Sequence, residues 1–191
     1  MNTTDLLFWI AQVISWVGAA LTIFSFQMKD NKRLYILQSV GGLLFAISFA
    51  IPGNWSGALL NSVNILRGGV LAAGKKWSSP LMFVIIEIFY LVSGIVSYDN
   101  WLSILVTVAQ MVGTIALWSR NGRTIRIVQF FVISPSWLIY NIFASAGANT
   151  GGIVTEVFGL ASVIISIIRY GWNGFEDEPS KKATVKAAKD N

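Results

Sequence analysis

The sequence contains no cysteine and no histidine. Disulfide bonds are therefore excluded, and so are zinc or haem ligation through these side chains and a histidine proton switch near neutral pH. Charged residues are also scarce, because Asp, Glu, Lys and Arg make up only 12% of the 191 residues, about half of their share in an ordinary soluble domain. No serine lies in a recognisable nucleophile motif, so we expect neither an enzyme nor a cofactor.

Apolar residues dominate the chain, with 54% of the residues hydrophobic and 13% aromatic. They form seven long runs, each close to the roughly 20 residues that a helix needs to cross ~30 Å of hydrocarbon. The predicted spans are 6–27, 34–51, 55–73, 80–96, 101–118, 125–144 and 151–170. The sequence therefore predicts an all-α membrane protein with seven transmembrane helices.

The 14 basic residues exceed the 9 acidic ones, and they are distributed unevenly along the chain. The second, fourth and sixth gaps between the spans hold no Lys or Arg, whereas the other gaps hold Lys29, Lys32, Arg33, Lys75, Lys76, Arg120 and Arg123. Because cytoplasmic loops are enriched in Lys and Arg, we expect the N-terminus outside and the C-terminus inside. The basic excess fits contact with lipid headgroups, so the expected partner is the bilayer and not nucleic acid.

The two ends of the chain resemble each other at a separation of roughly 90 to 98 residues. The matched segments are Ala11-Gln12 with Ala109-Gln110, Val17-Gly18 with Val112-Gly113, Ile36-Leu37-Gln38 with Ile127-Val128-Gln129, and Pro52-Gly53-Asn54 with Ala146-Gly147-Ala148-Asn149. They predict a 3+1+3 arrangement of two three-helix units and a linker helix. Because one helix separates the triplets, the repeats are parallel. The alternative is a duplication that serves packing alone.

This arrangement divides the chain into four parts. The first three-helix unit is 1–78, the linker helix 79–98, the second three-helix unit 99–170, and the remainder 171–191. The last part is rich in Lys, Ala and acidic residues and has no apolar periodicity, which is typical of a disordered cytoplasmic tail.

Four segments also carry a resemblance to a known family. They are Trp16-Val-Gly-Ala, Lys29-Asp-Asn-Lys-Arg-Leu, Gln38-Ser-Val-Gly-Gly and Asn61-Ser-Val-Asn-Ile-Leu-Arg67. Over most of residues 10–170 the chain resembles the YgjV-type bacterial inner membrane proteins, which are similar in fold to the SWEET, PQ-loop and PnuC-type carriers. The resemblance implies an inner membrane location and a solute site between the repeats. The chain lacks the proline of SWEET-type first helices and the Pro-Gln dipeptide of PQ-loop proteins, so their hinge mechanism does not carry over.

Polar residues in the third span lie on one helical face. Gly57, Asn61, Asn64 and Gly68 follow the spacing of a single stripe. The two amides then face a hydrated cavity and bind a polar solute, or they bond to a neighbouring helix while the glycines permit close contact. The SWEET-type resemblance implies that an Asn in the third helix of each triplet lines the site.

Further candidates for solute binding lie in the other spans. Trp137 and Asn141 share a face of the sixth span after Pro135, which is expected to kink it, and an aromatic ring beside an amide suits a sugar or nucleoside-like solute. Glu156 lies near mid-depth in the seventh span, while Gln38 and Gln129 occupy matching places. Each of these side chains has an alternative role in the packing of helices.

Arg67 and Glu87 lie at similar depth in antiparallel helices joined by a short loop. Charged side chains within a membrane are usually paired, so we expect an ion pair between these two residues. Its role is either a structural clamp or a gate at the inner mouth.

These observations favour a transporter or facilitator of a small polar solute, working through a cavity between the two three-helix units. The alternative is a non-transporting partner or regulator of another membrane complex, whose polar residues only hold helices together. The sequence leaves the solute, the coupling ion and homo-oligomer formation open.

Overall fold

The structure is a computed structural model, and it describes residues 2–25, 31–74, 76–119 and 121–170. The predicted tail and Lys29, Lys75 and Arg120 lie outside these residues. The helices are α1 (Thr3–Ser25), α2 (Asn31–Ala50), α3 (Trp55–Ala72), α4 (Pro80–Val96), α5 (Trp101–Ser119), α6 (Gly122–Val128), α7 (Ser134–Phe143) and α8 (Thr150–Tyr170). A π-helical turn, Gln129–Ile133, joins α6 to α7 without a break. Counting these pieces as one, the described part of the chain has seven helices, as predicted.

Three of the described helices have the length and hydropathy of membrane spans, and the surface of the bundle is apolar. Among the described residues, Thr3–Ser25, Trp101–Ser119 and Arg123–Phe143 are long and apolar enough to cross a membrane. Tyr35–Ala50, Pro80–Val96 and Thr150–Ile165 are apolar but shorter. Large apolar side chains are exposed along the helices, which is the arrangement expected where lipid surrounds the protein.

The helices pack in an order that follows the chain. α2 lies between α1 and α3, and α7 with its π turn lies between α5 and α8. Helix α4 contacts both α3 and α5. Two further contacts, α1 with α8 and α3 with α5, join the first three helices to the last three. The six helices thus form a closed ring, with α4 beside the seam between α3 and α5.

The two ends of the bundle differ in chemistry. We call the end that carries Arg33, Lys76 and Arg123 the basic end. The other end carries Asn54, Asn100 and Asn149 in its connections, and we call it the asparagine end. Because successive helices run in opposite directions, every second connection returns to the same end.

Two connections at the asparagine end have the same construction. Gly53 and Gly147 have φ values of 87° and 97°, which glycine adopts without the strain of a Cβ atom. The next asparagine in each connection donates its backbone N–H to a carbonyl of the preceding helix. The pairs are Asn54 with Phe49 and Asn149 with Asn141, both at 2.8 Å.

Glycines allow close contact between neighbouring helices in both groups. A Cβ atom at Gly57 would lie 2.6 Å from the Phe49 ring, so helix α3 approaches α2 more closely than a larger residue would permit. The corresponding contacts elsewhere pair Gly152 with Asn141, Gly68 with Ser39, Gly18 with Leu44, and Gly113 with Ile133.

The sixth helix contains the π turn immediately before Pro135. Proline has no backbone N–H, and its ring crowds the carbonyl four residues earlier. The helix widens here, and the Ser134 N–H bonds to the Gln129 carbonyl five residues back. The sequence predicts a kink at Pro135, and the structure resolves it as one wide turn that changes which face α7 presents.

Candidate functional site

Trp137 and Asn141 lie together on α7, where it faces α2 and α8. The Trp137 ring centre is 6.1 Å from that of Phe49 and 5.5 Å from that of Tyr140. Asn141 is 2% exposed and lies against Gly152 of α8. The Trp137 Nε1 and Asn141 Oδ1 atoms are buried without a hydrogen-bond partner in the described part of the chain. One unused donor and one unused acceptor therefore lie one helical turn apart on α7, where the Trp137 ring contacts α2 and the Asn141 oxygen lies against α8.

Tyr140 joins α7 to the start of α3 at the asparagine end. Its hydroxyl accepts a 2.8 Å hydrogen bond from the Gly57 N–H and donates to Asn54 Oδ1. Asn149 makes a similar crossing, because its Nδ2 donates to Ser48 Oγ of α2 at 3.2 Å. Sequence reasoning missed Tyr140, since a tyrosine near a helix end is usually a membrane-interface anchor.

Gln12 joins α1 to the start of α8 at the same end. Its Nε2 donates to the Ala148 carbonyl at 2.8 Å, and its Oε1 accepts from Thr150 Oγ1 at 2.7 Å and from the Thr150 N–H at 3.0 Å. The sequence marks Gln12 only as part of the repeated Ala-Gln pair. These bonds satisfy every polar atom of a side chain that is 7% exposed.

The two asparagines of α3 have different surroundings. Asn61 is 8% exposed, and its Nδ2 donates to the Gly57 carbonyl of its own helix at 2.9 Å. Asn64 is half-buried and accepts from the Tyr90 hydroxyl of α4 at 2.5 Å. Both amides use part of their hydrogen-bonding capacity within the protein, and Asn64 lies on the α4 side of α3.

Arg67 lies one turn beyond Asn64 and reaches α5. Its Nη1 donates to Gln110 Oε1 and Thr114 Oγ1, each at 3.1 Å. Its guanidinium carbon lies 5.7 Å from the centre of the Tyr90 ring, a cation–π arrangement. The result is a polar cluster between α3, α4 and α5 in the half of the bundle nearer the basic end.

Glu87 lies next to this cluster without completing it. The charge of Arg67 acts on the Glu87 carboxyl, but no ion pair joins the two within the described residues. Glu87 Oε1 is instead buried without a hydrogen-bond partner. The structure brings the two residues near each other, as predicted from their depth, and gives Arg67 neutral oxygen partners in place of the expected carboxylate.

Gln129 and Glu156 meet through a residue that the sequence did not single out. Gln129 Nε2 donates to Ser134 Oγ at 2.8 Å, and the Ser134 side chain faces the half-buried Glu156 carboxyl of α8. Ser134 is fully buried at the end of the π turn. Gln38 lies apart from this group, half-buried in α2.

A cleft of about 440 Å³ opens at the asparagine end. Its polar lining comprises Asn54, Ser56, Ser97, Asp99 and Ser145. Asp99 Oδ2 accepts from Ser145 Oγ at 2.5 Å, linking the α4–α5 and α7–α8 connections. The cleft lies at the end of the bundle, away from mid-depth. Among the described residues, no three His, Cys, Asp or Glu side chains converge to hold a metal ion.

Comparison with known proteins identifies the family. Residues 9–173 match the Imp-YgjV family, described as a bacterial inner membrane protein. The chain belongs to this family. It is 24% identical over 166 residues to the inner membrane protein YgjV of Escherichia coli (strain K12), covering 85% of each chain. No solved structure matches the chain. This YgjV-family protein is therefore a bacterial inner membrane protein in contact with the lipid bilayer.

Proposed function

We propose that this YgjV-family protein transports, or facilitates the passage of, a small polar solute between two three-helix units. One observation carries the proposal. Trp137 Nε1 and Asn141 Oδ1 are an unused donor and an unused acceptor on α7, the helix of the second unit whose Trp137 ring contacts Phe49 of the first unit. Buried polar atoms normally have partners, because leaving one unpaired costs about 1–3 kcal/mol. Protein encloses both atoms in this conformation, so the helices would have to part before a solute with hydroxyl or amide groups could supply both partners and pack its apolar face on the Trp137 ring.

The proposed units are α1 to α3 and α5 to α8, related by an approximate two-fold axis along the membrane normal. Reciprocal contacts support this relation. Asn54 follows α2 and reaches Tyr140 of α7, while Asn149 follows α7 and reaches Ser48 of α2. A two-fold axis produces such paired contacts, in which each unit offers the other the same surface. The axis would likewise exchange the α1–α8 contact with the α3–α5 contact, which is the smaller of the two.

The glycine contacts support the same relation. Gly57 with Phe49 corresponds to Gly152 with Asn141, and both pairs join the second helix of a unit to its third. The Asn54 and Asn149 backbone bonds correspond in the same way. The fold relation to SWEET, PQ-loop and PnuC-type carriers and the parallel 3+1+3 repeat are parts of this proposal. Because Phe49 and Asn141 occupy equivalent places, the proposed site is asymmetric.

The basic end would face the cytoplasm, with the N-terminus outside, since Lys and Arg collect on that side of inner membrane proteins. Arg33, Lys76 and Arg123 are all exposed at the basic end. In the described conformation the boundary between the units is closed at the asparagine end by Tyr140 and Asn149. Entry of a solute from the asparagine end would therefore require these contacts to break.

Flux measurements in proteoliposomes test the proposal. Uptake from a panel of sugars, nucleosides, amino acids and organic acids should be measured for the wild type and for Trp137→Phe. This variant keeps an aromatic ring but removes the unused N–H, so uptake should fall while the fold is retained. Trp77→Phe, at an exposed ring near the basic end, is the matched control and should leave uptake unchanged. The absence of flux for every solute in the panel would defeat the proposal.

The hydrogen bonds of Gln12 and Asn64 favour a second function. Both side chains are engaged in contacts between helices, which is the role expected in a non-transporting partner or regulator of another membrane complex. That function predicts a complex with another inner membrane protein. It also predicts that Trp137→Phe does not change solute uptake by the purified protein. Crosslinking in intact cells, followed by identification of the captured partner and reconstitution with it, distinguishes the two.

A further inference from the structure

Arg67 is held in one orientation by three side chains. Its Nη1 atom is anchored on α5 by Gln110 and Thr114, and its guanidinium lies over the Tyr90 ring of α4. Gln110 is 4% exposed, and Thr114 and Tyr90 are fully buried. The Tyr90 hydroxyl is itself fixed by Asn64. An arginine positioned in this way loses little side-chain freedom when it binds a further group.

The anchors use only one of the three guanidinium nitrogens. Arg67 Nε and Nη2 have no hydrogen-bond partner among the residues that the structure describes. Neither atom is among the unpartnered polar atoms that protein fully encloses, so this edge of the guanidinium keeps some accessible surface. These two nitrogens form one edge of the planar group. Two parallel N–H donors along such an edge match the two oxygens of a carboxylate or phosphate.

Glu87 does not occupy this edge. Its carboxyl is near enough for the two charges to interact, yet no ion pair forms between them in the described ranges. The oxygens that do contact Arg67 belong to a neutral amide and a hydroxyl. A positive charge inside a membrane protein without a contacting anion is unfavourable, and such residues typically mark a substrate or ion pathway.

We propose that the Nε–Nη2 edge of Arg67 is an anion subsite, which takes the carboxylate or phosphate group of its ligand. This inference rests on the proposed function and narrows it, because a solute that passes the half of the bundle nearer the basic end would then carry an anionic group. The headgroup phosphate of an anionic lipid has the same chemistry and is the other source.

Chemical labelling of the full chain tests the subsite without knowledge of the solute. Phenylglyoxal reacts selectively with arginine, and peptide mass spectrometry reports Arg67 and the exposed Arg123 separately. In neutral phosphatidylcholine nanodiscs, Arg67 should be labelled, and gluconate or ribose 5-phosphate should slow its labelling while glucose and ribose do not. Arg123 should label equally in all conditions. Failure of Arg67 to label, or equal protection by the neutral sugars, would overturn the proposal.

The same experiment in nanodiscs with phosphatidylglycerol distinguishes the two sources. Protection by this lipid, with none from gluconate or ribose 5-phosphate, would assign the edge to a headgroup and overturn the solute assignment. Protection by the soluble anions in both lipids would assign it to a solute.

Binding measurements on variants give a second test. Anion-induced thermal stabilisation should show affinity at least about tenfold weaker in Arg67→Gln and in Arg67→Lys, which keeps the charge but loses the paired donors. Lys76→Gln is the control and should bind as the wild type does. Equal affinity in Arg67→Lys and wild type would rule out the two-donor edge. If anions protect Arg67 but no solute is transported, the anion subsite is retained and the transport proposal fails. If uptake is unaffected by Arg67→Gln, the transport proposal is retained and the anion subsite fails.

Discussion

Replacement of Asn141 by leucine should stabilise the protein while abolishing transport. Asn141 is 2% exposed, and its Oδ1 has no hydrogen-bond partner in the described residues. Leucine has nearly the same size and removes the unpaired acceptor, whose burial costs about 1–3 kcal/mol. The Asn141 side chain packs so closely on Gly152 that a Cβ atom at Gly152 would overlap it. A leucine at position 141 would be strained against Gly152, which reduces the gain, so we expect the free energy of unfolding to rise by an amount at the lower end of that range. Solute uptake should be lost because the acceptor is removed.

Equilibrium unfolding of the full chain by SDS in mixed micelles measures the change. Asn64→Leu is the matched control, because Asn64 Oδ1 accepts from the buried Tyr90 hydroxyl. That variant leaves the Tyr90 hydroxyl without an acceptor and should lower the free energy of unfolding by about 1–3 kcal/mol. The two substitutions are chemically identical but should change the free energy of unfolding in opposite directions. If Asn141→Leu destabilises the protein as much as Asn64→Leu does, Asn141 has a partner within the fold and the argument for a solute site there fails.

Three further predictions concern the packing at the asparagine end. Tyr140→Phe should lower the free energy of unfolding by about 1–3 kcal/mol, because the buried Gly57 N–H loses its acceptor. Gly57→Ala should be destabilising by about 1–3 kcal/mol, since its Cβ atom would lie 2.6 Å from the Phe49 ring, whereas Gly69→Ala, with nothing within 4 Å, should be neutral or stabilising. Gln12→Leu should cost about 1–3 kcal/mol and speed hydrogen exchange at the start of α8, and unchanged exchange there would contradict the contact.

Local features of the sequence predict most of the helices. The span 80–96 has the bounds of α4, because Ser79 caps the helix and Pro80 occupies its first turn. The spacing of Trp137 and Asn141 also predicts that they share a face, since residues four apart are neighbours on a helix. Both predictions depend only on residues close together in the chain.

Contacts between distant helices were beyond this reasoning. Tyr140 and Asn54 are hydrogen-bonded although they lie 86 positions apart in the sequence. Whether Tyr140 is a membrane-interface anchor or a link between distant helices depends on which helices are neighbours. Gln129 and Glu156 were identified separately, but Ser134 joins them only because a π turn brings it to that place. The ion pair predicted for Arg67 failed for the same reason, since Gln110 and Thr114 on α5 were available as partners.

The π turn makes the two groups of helices mechanically unequal. A wide turn holds one more residue than a regular turn, and each residue rotates an α-helix by about 100°. Because α2 is continuous whereas the helix formed by α6 and α7 is interrupted at Gln129–Ile133, the last three helices can twist or bend at a point where the first three cannot. Return of the wide turn to regular α-helix would rotate Trp137 and Asn141 together by about 100° and advance α7 by about 1.5 Å along its axis.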